Sequence, residues 1–233
     1  MTLVAIVGAT GKLGAQVVRV VSAMPDFQIV AKLDSKSSLE EIDSAELVID
    51  VTRHDVSLQV VRHALANGQK VLIGTSGWSS AAIDSARLGE ANGVVIIPNF
   101  SIGSMVATHL AGVASKFFGN ARISETHHIS KIDAPSGTSA HTAEVVARNR
   151  KGDGLAVPAT DDRVVAGVPI TSHRLPDAIA EQVVTFEGLG ETVTIGHETK
   201  DRSSYDAGIE ASVRFAATAT GLTVGLDAVL GIK

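Results

Sequence analysis

The sequence predicts an α/β protein, with a Rossmann-like doubly wound parallel sheet followed by a second α+β domain that contains a mixed sheet. Three observations support this prediction. The first hundred residues alternate short apolar runs with helical patterns. Those runs show no polar alternation, as expected for parallel strands buried on both faces. After Phe100 the strand-like runs become longer, and one of them alternates apolar with polar residues. The βαβ rhythm of the first part is typical of a doubly wound fold.

Five strands and three helices are predicted before Phe100. The strands are short apolar runs at residues 3–7, 29–33, 47–49, 71–73 and 94–97. The helices follow the first, third and fourth strands, at residues 12–23, 56–67 and 79–92. Gly68 and Gly93 stand where the last two helices end, which is the preferred place for glycine.

The second part begins with a mostly apolar helix at residues 102–117, a strand at 121–128 and a helix at 138–148. Residues 151–168 are rich in Gly, Pro and Asp, and they predict an irregular loop. Strands are predicted at residues 169–174, 181–186 and 191–197, the last two joined across Gly-Leu-Gly as a hairpin. A helix of small residues starts near Asp206 and precedes an apolar tail, and we expect it to pack back on the first domain.

Composition excludes several classes of protein. There is no cysteine, which rules out disulfides, thiolate metal sites and a thiol nucleophile. The net charge is −5 and the only basic cluster is the short RNRK at residues 148–151, so nucleic-acid binding is not expected. No apolar run approaches the roughly 20 residues that span a bilayer, and the opening MTLVAIVGATG does not resemble a signal peptide. We therefore expect a soluble, cytoplasmic protein.

The stretch GATGKLG, residues 8–14, lies between the first strand and its helix. Glycines there permit a tight turn, close approach to a pyrophosphate and close packing of the helix on the strand. The spacing is G-x-x-G-x-x-G, which alone is a weak signal, and Leu13 after Lys12 excludes a P-loop. Asp34 ends the second strand about 20 residues on, where a carboxylate would bind a ribose hydroxyl. The alternative is a simple turn with a surface aspartate.

Asp34 favours NADH as the cofactor. Lys12 and Lys36 flank the expected position of the ribose 2′-hydroxyl and would neutralise a 2′-phosphate. The sequence therefore predicts use of both NADH and NADPH.

The stretch HHISKIDAPSGT, residues 127–138, carries the second candidate site. Neighbouring side chains of a strand point to opposite faces, so His127 and His128 do not predict a metal site, and Lys131 would repel a cation. The Ser-Gly-Thr corner at the start of a helix offers amides that attract anions. With a lysine and a titratable histidine beside it, this corner predicts a pocket for a small polyanion next to a proton donor. The alternative is a pair of partly exposed histidines with local hydrogen bonds.

The longer stretch ETHHISKIDAPSGT, residues 125–138, closely resembles the signature E-x-H-H-x-x-K-x-D-A-P-S-G-T of the 4-hydroxy-tetrahydrodipicolinate reductase (dihydrodipicolinate reductase) family of bacterial lysine and diaminopimelate biosynthesis. The resemblance runs the full length of the chain. It includes GATGKLG, GTSGW at residues 74–78, IPNFSIG at 97–103 and GETVTIGHETKDRSSYDAG at 190–208.

The resemblance implies a dinucleotide-binding domain built from residues 1–102 and 205–233. It implies a substrate-binding and tetramerisation domain at residues 103–204, whose sheets assemble a homotetramer. The implied reaction is reduction of a cyclic 2,6-dicarboxylate by NADH or NADPH, giving tetrahydrodipicolinate with loss of water.

The resemblance also implies roles for individual residues. His127 would be the proton donor and Lys131 its partner in catalysis. The residues that would hold the substrate carboxylates are His128, Ser136, Gly137 and Thr138. The residues that would line the cofactor are Gly8, Ala9, Thr10, Gly11, Lys12, Leu13, Asp34, Gly74, Thr75, Ser76, Ile97, Pro98, Asn99 and Phe100.

Some positions depart from the family pattern or take no role from it. Val51 and His54 stand in place of the Phe and Pro of D-F-T-x-P, which predicts loss of an aromatic contact near the nicotinamide. Asp177 replaces a usual glycine. Arg174 and Arg202 are predicted to form structural ion pairs.

Two other functions fit the same features. One is a reductase of another small cyclic imine or dicarboxylate. The other is a non-catalytic NAD(P)-binding regulatory protein, which would not need to keep His127, Lys131 and the Ser-Gly-Thr corner together.

Overall fold

Six parallel strands form the sheet of the first of two structural units. The structure is a computed structural model, and it describes residues 1–78, 83, 92–150 and 161–232. The chain divides into Met1–Phe100 with Tyr205–Lys233, and Ser101–Ser204. The strands of the first unit are β1 (Thr2–Val7), β2 (Phe27–Leu33), β3 (Leu47–Asp50), β4 (Lys70–Ile73), β5 (Gly93–Ile96) and β11 (Gly221–Val224).

The strand order β11-β5-β4-β3-β1-β2 is that of a Rossmann-like doubly wound sheet. The chain moves from β1 to β2 on one side and then to β3 on the other, so the order reverses between β1 and β3. The carboxyl ends of all the strands lie at one edge, because every pairing is parallel. Ligands of such sheets bind in the crevice at this reversal point.

Helices of the first unit are α1 (Lys12–Ser22), α2 (His54–Ala66), α5 (Asp206–Thr218) and α6 (Leu226–Val229). A short 3-10 helix, Leu39–Ile42, precedes β3. The predicted helix at residues 79–92 lies almost wholly outside the described residues. Strands β3 and β5 are buried along their whole length, in agreement with the uninterrupted apolar runs of the sequence.

The apolar tail after α5, for which the sequence analysis assigned no element, contains a strand. Residues 221–224 form β11, which pairs with β5 at the edge of the sheet. Helix α5 packs against α1, and Asp206 at its start forms an ion pair with Arg19 at 2.6 Å.

The second unit holds a five-stranded mixed sheet in the order β10-β9-β6-β8-β7. Among the strand pairings of the described residues in this unit, only β6–β8 is parallel. The elements are α3 (Ile102–Ala114), β6 (Asn120–His128), α4 (Gly137–Asn149), β7 (Arg163–Val165), β8 (Val168–Leu175), β9 (Ala180–Gly188) and β10 (Glu191–Thr199). The buried cluster of this unit comprises Ala111, Ala121, Ile123, Ala143, Val146, Val168, Ile170, Val184 and Phe186.

Two predicted boundaries in this unit are wrong. Helix α3 ends at Ala114, three residues before its predicted end, and the chain turns there. The irregular loop predicted for residues 151–168 contains β7 and the first residue of β8, which pair as a hairpin; residues 151–160 lie outside the described part. The predicted β9–β10 hairpin is confirmed, and Gly190 in its turn has a φ of +76°.

None of the helices in the described residues is both long and apolar enough to cross a membrane.

Candidate active site

The glycine loop lies at the reversal point of the parallel sheet. The amides of Gly8 and Ala9 both donate to the carbonyl oxygen of Leu33, at 3.0 Å, so the loop is fastened to the end of β2. Gly11 is the N-cap of α1 and has no side chain to cap the first helical amides. The predicted residues Thr10, Gly11 and Lys12 are exposed, and Ala9 and Leu13 are half-buried. An exposed, uncapped helix start is a suitable seat for a diphosphate.

The three glycines of the loop have different steric surroundings. Gly8 has a φ of +88°, and an added Cβ would lie 2.7 Å from the carbonyl oxygen of Val51. A Cβ at Gly14 would lie 2.0 Å from the carbonyl oxygen of Gly8, closer than any real contact. A Cβ at Gly11 would meet only that same oxygen, at an ordinary 3.4 Å. Gly8 and Gly14 therefore serve the fold, whereas the fold alone does not require glycine at position 11.

We expect Gly14→Ala to lower the free energy of unfolding by about 3 kcal/mol, because the methyl group would collide with a rigid backbone carbonyl. Gly11→Ala should leave that free energy nearly unchanged and raise the Kd for NADH about tenfold or more, because the methyl group would occupy space needed by the diphosphate. Urea unfolding and fluorescence titration measure the two quantities. Equal stability losses in both variants would contradict this division of roles.

Asp34 lies directly after β2, beside the glycine loop. Its Oδ1 accepts a hydrogen bond from the amide of Lys36 at 2.8 Å, which fixes the carboxylate at the end of the strand. Lys12 and Lys36 are both exposed. This arrangement fits the ribose-binding role predicted for Asp34.

Buried Asp50, which the sequence reasoning missed, holds the neighbouring loops together. Its carboxylate accepts hydrogen bonds from the hydroxyls of Thr52 at 2.6 Å, Thr75 at 2.7 Å and Ser57. Its backbone carbonyl accepts from the amide of Gly74 at 2.8 Å. An aspartate that ends an otherwise apolar strand is the signal that would have found it. Asp50 thus shapes the segment Gly74, Thr75 and Ser76 predicted to line the cofactor.

The last predicted cofactor segment follows β5. Ile97 is fully buried and Phe100 is 4% exposed, so their side chains belong to the core. Pro98 is exposed and Asn99 is half-buried. Contact with a cofactor from this segment would therefore come from the backbone and from these two residues. His54 is one of the positions that depart from the family pattern. Its ring makes an edge contact with the ring of Trp78, with ring centroids 5.7 Å apart.

In the second unit, β6 sends its two histidines to opposite faces. His127 shares the inner face with Glu125, and its side chain is 16% exposed. The Nδ1 atom of His127 makes a short contact with Oε2 of Glu125. His128 is exposed, and its Nδ1 lies 2.7 Å from the hydroxyl of Ser130.

Glu125 is fully buried and ionised. Burial raises its pKa, but hydrogen bonds from His127 and Arg174 and the charge of His127 outweigh burial, and the pKa falls to about 2. A carboxylate can only accept hydrogen bonds, so the hydrogen between Nδ1 and Oε2 belongs to the imidazole. The Nε2 atom of His127 is therefore the nitrogen left for a ligand.

Arg174 completes this network, and its predicted structural ion pair is confirmed. Its two terminal nitrogens each lie 3.0 Å from Oε1 of Glu125. It also donates to the backbone carbonyl oxygens of Asp133 at 2.6 Å and Lys131 at 3.3 Å. Glu125 could have been found in the sequence, because residues two apart on a strand share a face. Its partner Arg174, 49 residues away, could not.

Lys131 lies in the loop after β6, whose backbone is bound by Arg174. Its Nζ lies 2.8 Å from Oδ2 of Asp133, and its side chain is 29% exposed. Partial burial raises the pKa of Asp133, but the hydrogen bond and charge of Lys131 outweigh it, so the pKa lies below its ordinary value. The ammonium of Lys131 is therefore held near the surface by an exposed acid.

The Ser-Gly-Thr corner forms the start of α4. Ser136 is buried, and its hydroxyl accepts the amide of Ser139 at 3.1 Å, so this side chain caps the helix. Gly137, the first helical residue, is exposed, and nothing lies within 4 Å of where its Cβ would be. The first amides of a helix lack intrahelical acceptors and attract anions. Gly137 and the half-buried Thr138 therefore form an open helix start that fits the anion-binding role predicted for them, while Ser136 caps the helix.

Comparison with known proteins finds one family across the chain. The model described as dihydrodipicolinate reductase, N-terminus, matches residues 2–100. The model described as dihydrodipicolinate reductase, C-terminus, matches residues 100–230.

Individual relatives agree with these matches. The 4-hydroxy-tetrahydrodipicolinate reductase of Clavibacter michiganensis subsp. michiganensis is 44% identical over 99% of this chain and 87% of its own. That of Nocardia farcinica is 37% identical over 98% of each chain. The dipicolinate-bound dihydrodipicolinate reductase of Paenisporosarcina sp. TG-14 superposes with a TM-score of 0.82 and 27% identity, over 98% of this chain and 99% of its own.

Proposed function

The chain belongs to the dihydrodipicolinate reductase family, and we propose that it reduces 4-hydroxy-tetrahydrodipicolinate to tetrahydrodipicolinate with His127 as the proton donor. The overall reaction consumes NADH or NADPH and a proton, and it releases water. The observation that carries the proposal is the arrangement at the end of β6. There an oriented imidazole, a lysine and an exposed helix start belong to the same loop and strand end.

We assign the proton transfer to Nε2 of His127, because Nδ1 is already engaged with Glu125. Addition of a hydride leaves electron density on the substrate ring, which the acid can discharge. General-acid catalysis of this kind contributes typically about 10²–10⁴-fold in rate.

The two carboxylates of the substrate would be held by Lys131, His128 and the start of α4. A charge-assisted hydrogen bond from Lys131 would contribute roughly 1.5–3 kcal/mol. Gly137 and Thr138 would supply amides, and the open space beside Gly137 leaves room for a carboxylate. Ser136 would contribute indirectly, by capping the helix whose first amides face the anion.

The cofactor would lie at the reversal point of the parallel sheet. The uncapped, exposed start of α1 and the space beside Gly11 fit a diphosphate, and Asp34 fits a ribose. The loops after β4 and β5, at residues 74–76 and 97–100, would border the nicotinamide. When bound, the reduced nicotinamide supplies the hydride. The residues of this chain position it and provide the proton.

A coupled assay tests the proposal. Aspartate semialdehyde and pyruvate are condensed by the preceding enzyme, and loss of reduced-nicotinamide absorbance is followed with NADH and with NADPH. Turnover of this product, but not of other cyclic imines, supports the assignment. The absence of turnover with either cofactor would refute it and favour a reductase of another imine or a regulatory NAD(P)-binding protein.

The same assay tests the predicted use of both cofactors. Asp34 favours a free ribose hydroxyl, and Lys12 and Lys36 compensate for a 2′-phosphate. We expect kcat/KM values for NADH and NADPH that differ by much less than about a thousandfold, or about 4 kcal/mol. A preference for NADH of a thousandfold or more would rule out dual use.

We also propose a homotetramer that acts in the cytoplasm. The face of the second unit's sheet away from α3 and α4 carries small hydroxyl side chains, among them Ser124, Thr126, Thr185, Thr192 and Thr194. We expect this face, which also carries the exposed Arg122–Glu187 ion pair, to pack against the sheet of a second chain. We expect light scattering to give the mass of four 24.1 kDa chains, and Thr185→Arg to reduce that mass. A monomer in both proteins would contradict the proposal.

A further inference from the structure

We infer that Glu125 and Arg174 are positioning residues that hold the imidazole of His127 and the loop of Lys131 in one hydrogen-bonded unit. The inference rests on the proposed function, because it explains how the proton donor and the carboxylate-binding lysine keep a fixed relation. Neither Glu125 nor Arg174 needs to touch the substrate for this role.

Glu125 determines which nitrogen of His127 is available. It lies in the middle of the mixed sheet, beside Ser172 of β8 and Gln182 of β9, and is fully buried. Its ionised carboxylate accepts the Nδ1 hydrogen of His127, which restrains the ring and fixes its tautomer. Without an acceptor beside Nδ1, the imidazole could carry its hydrogen on either nitrogen. Nε2 would then not always be the nitrogen that faces the substrate.

Arg174 connects this carboxylate to the lysine loop. One guanidinium binds Glu125 twice, at 3.0 Å, and reaches the carbonyl oxygens of Asp133, Lys131 and His173. Five donors in a rigid planar fork are needed for this set of contacts, and lysine cannot reproduce it. Arg174 thus neutralises the buried acid and fastens residues 131–133 to β8 with the same side chain.

Few other charges can influence the imidazole. On the described elements around it, β6 contributes Glu125, β8 contributes Arg174, and the following loop contributes Lys131 and Asp133. Strand β9 places the neutral Ala180 and Gln182 beside it. Helix α4, which packs on β6, directs Ser139, Thr142, Ala143 and Val146 inward. Its titratable His141 and Glu144 have side chains 63% and 59% exposed.

A purely structural role for the pair makes a different prediction. Buried ion pairs often serve the fold alone, and in that case a folded variant would retain the tautomer of His127 and the pH dependence of the reaction. A positioning role requires both to change. The two possibilities are therefore separated by readouts other than stability.

The experiment compares Glu125→Gln and Arg174→Lys with Glu210→Gln and Arg214→Lys, which alter an exposed ion pair on α5. Imidazole NMR, with the His127 signal assigned by its loss in His127→Gln, gives the tautomer and the titration of the ring. Steady-state kinetics give kcat and KM against pH, and NADH titration verifies that each variant is folded.

For Glu125→Gln we expect kcat to fall on the order of 10–100-fold at neutral pH, because the donor is misplaced. The dependence of kcat on pH should also differ from that of the wild type, because a carboxylate no longer holds the ring in place. For Arg174→Lys we expect KM for the dicarboxylate to rise about tenfold, because the loop of Lys131 is released. The α5 variants should match the wild type.

A folded Glu125→Gln variant with unchanged tautomer and pH profile would overturn the inference and leave the proposed function intact. If that variant does not fold, the wild type decides. A neutral His127 ring that carries its hydrogen on Nε2 and not on Nδ1 would also overturn the inference. A wild type that lacks reductase activity would refute the proposed function, while the NMR result would still decide the role of Glu125.

Discussion

Replacing His127 with glutamine is expected to lower kcat for 4-hydroxy-tetrahydrodipicolinate at least about 100-fold. Glutamine can fill the space and donate a hydrogen bond, but it cannot transfer a proton, so the general-acid contribution is lost. The Kd for NADH should not change, because every residue assigned to the cofactor lies in the other structural unit. Stopped-flow or steady-state kinetics with the coupled substrate measure kcat.

Two comparisons make this result specific. Lys131→Gln should chiefly raise KM, on the order of 10–100-fold, because a charged contact to a carboxylate is removed. His141→Gln is the matched control, since His141 is an exposed histidine on α4 and has no assigned role. A near-normal kcat in His127→Gln would remove His127 from the acid role, whatever happened to the other variants.

Replacing Arg174 with alanine is expected to destabilise the protein by about 3–5 kcal/mol at neutral pH. The substitution leaves the carboxylate of Glu125 fully buried with no guanidinium beside it, and an uncompensated buried charge is costly. Chemical denaturation monitored by circular dichroism gives the free energy of unfolding. Arg214→Ala, which breaks an exposed pair with Glu210, should leave the free energy of unfolding nearly unchanged.

The dependence on pH distinguishes lost charge pairing from lost packing. The pKa of Glu125 falls from its ordinary 4.5 to about 2 in the folded protein. A lowered pKa stabilises the fold above the unfolded value, so this contribution is complete above pH 4.5 and disappears as the pH falls through 2. The penalty of Arg174→Ala should therefore shrink between these values. A penalty independent of pH would indicate that packing alone was lost.

The parallel sheet of the first unit was predictable because its signal is local. Uninterrupted apolar runs such as residues 47–49 predict strands that are covered on both faces. The histidine-rich signature also predicted the chemistry of its own segment, since the order of residues on a strand and at a helix start determines which groups face outward.

Strand β7 was missed because its segment has the composition of a loop, and β11 was missed because its pairing partner lies elsewhere in the chain. Residues around β7 are rich in Gly, Pro and Asp, and only the positive φ angles of Ala166 and Gly167, +49° and +77°, turn them into a hairpin. The segment of β11 is four residues long and only partly buried, so its composition resembles that of a tail. Its strand conformation depends on the free edge of β5.

Only part of the positioning network around His127 could be predicted from the sequence. Glu125 lies two residues from His127, yet nothing in the local sequence indicates that it is buried, because burial of a carboxylate requires a cation. That cation, Arg174, comes from a strand that pairs with β6 only in the folded sheet. A residue whose role depends on a distant partner cannot be assigned from its own segment.

Pairing of β11 with β5 has a consequence for synthesis on the ribosome. Residues 101–204 emerge as one continuous stretch that contains every strand of its sheet. The other sheet must wait for residues 221–224, which emerge after that whole stretch. We therefore expect the middle of the nascent polypeptide to finish folding first, while β5 keeps an unpaired edge that a chaperone would need to shield until β11 has emerged.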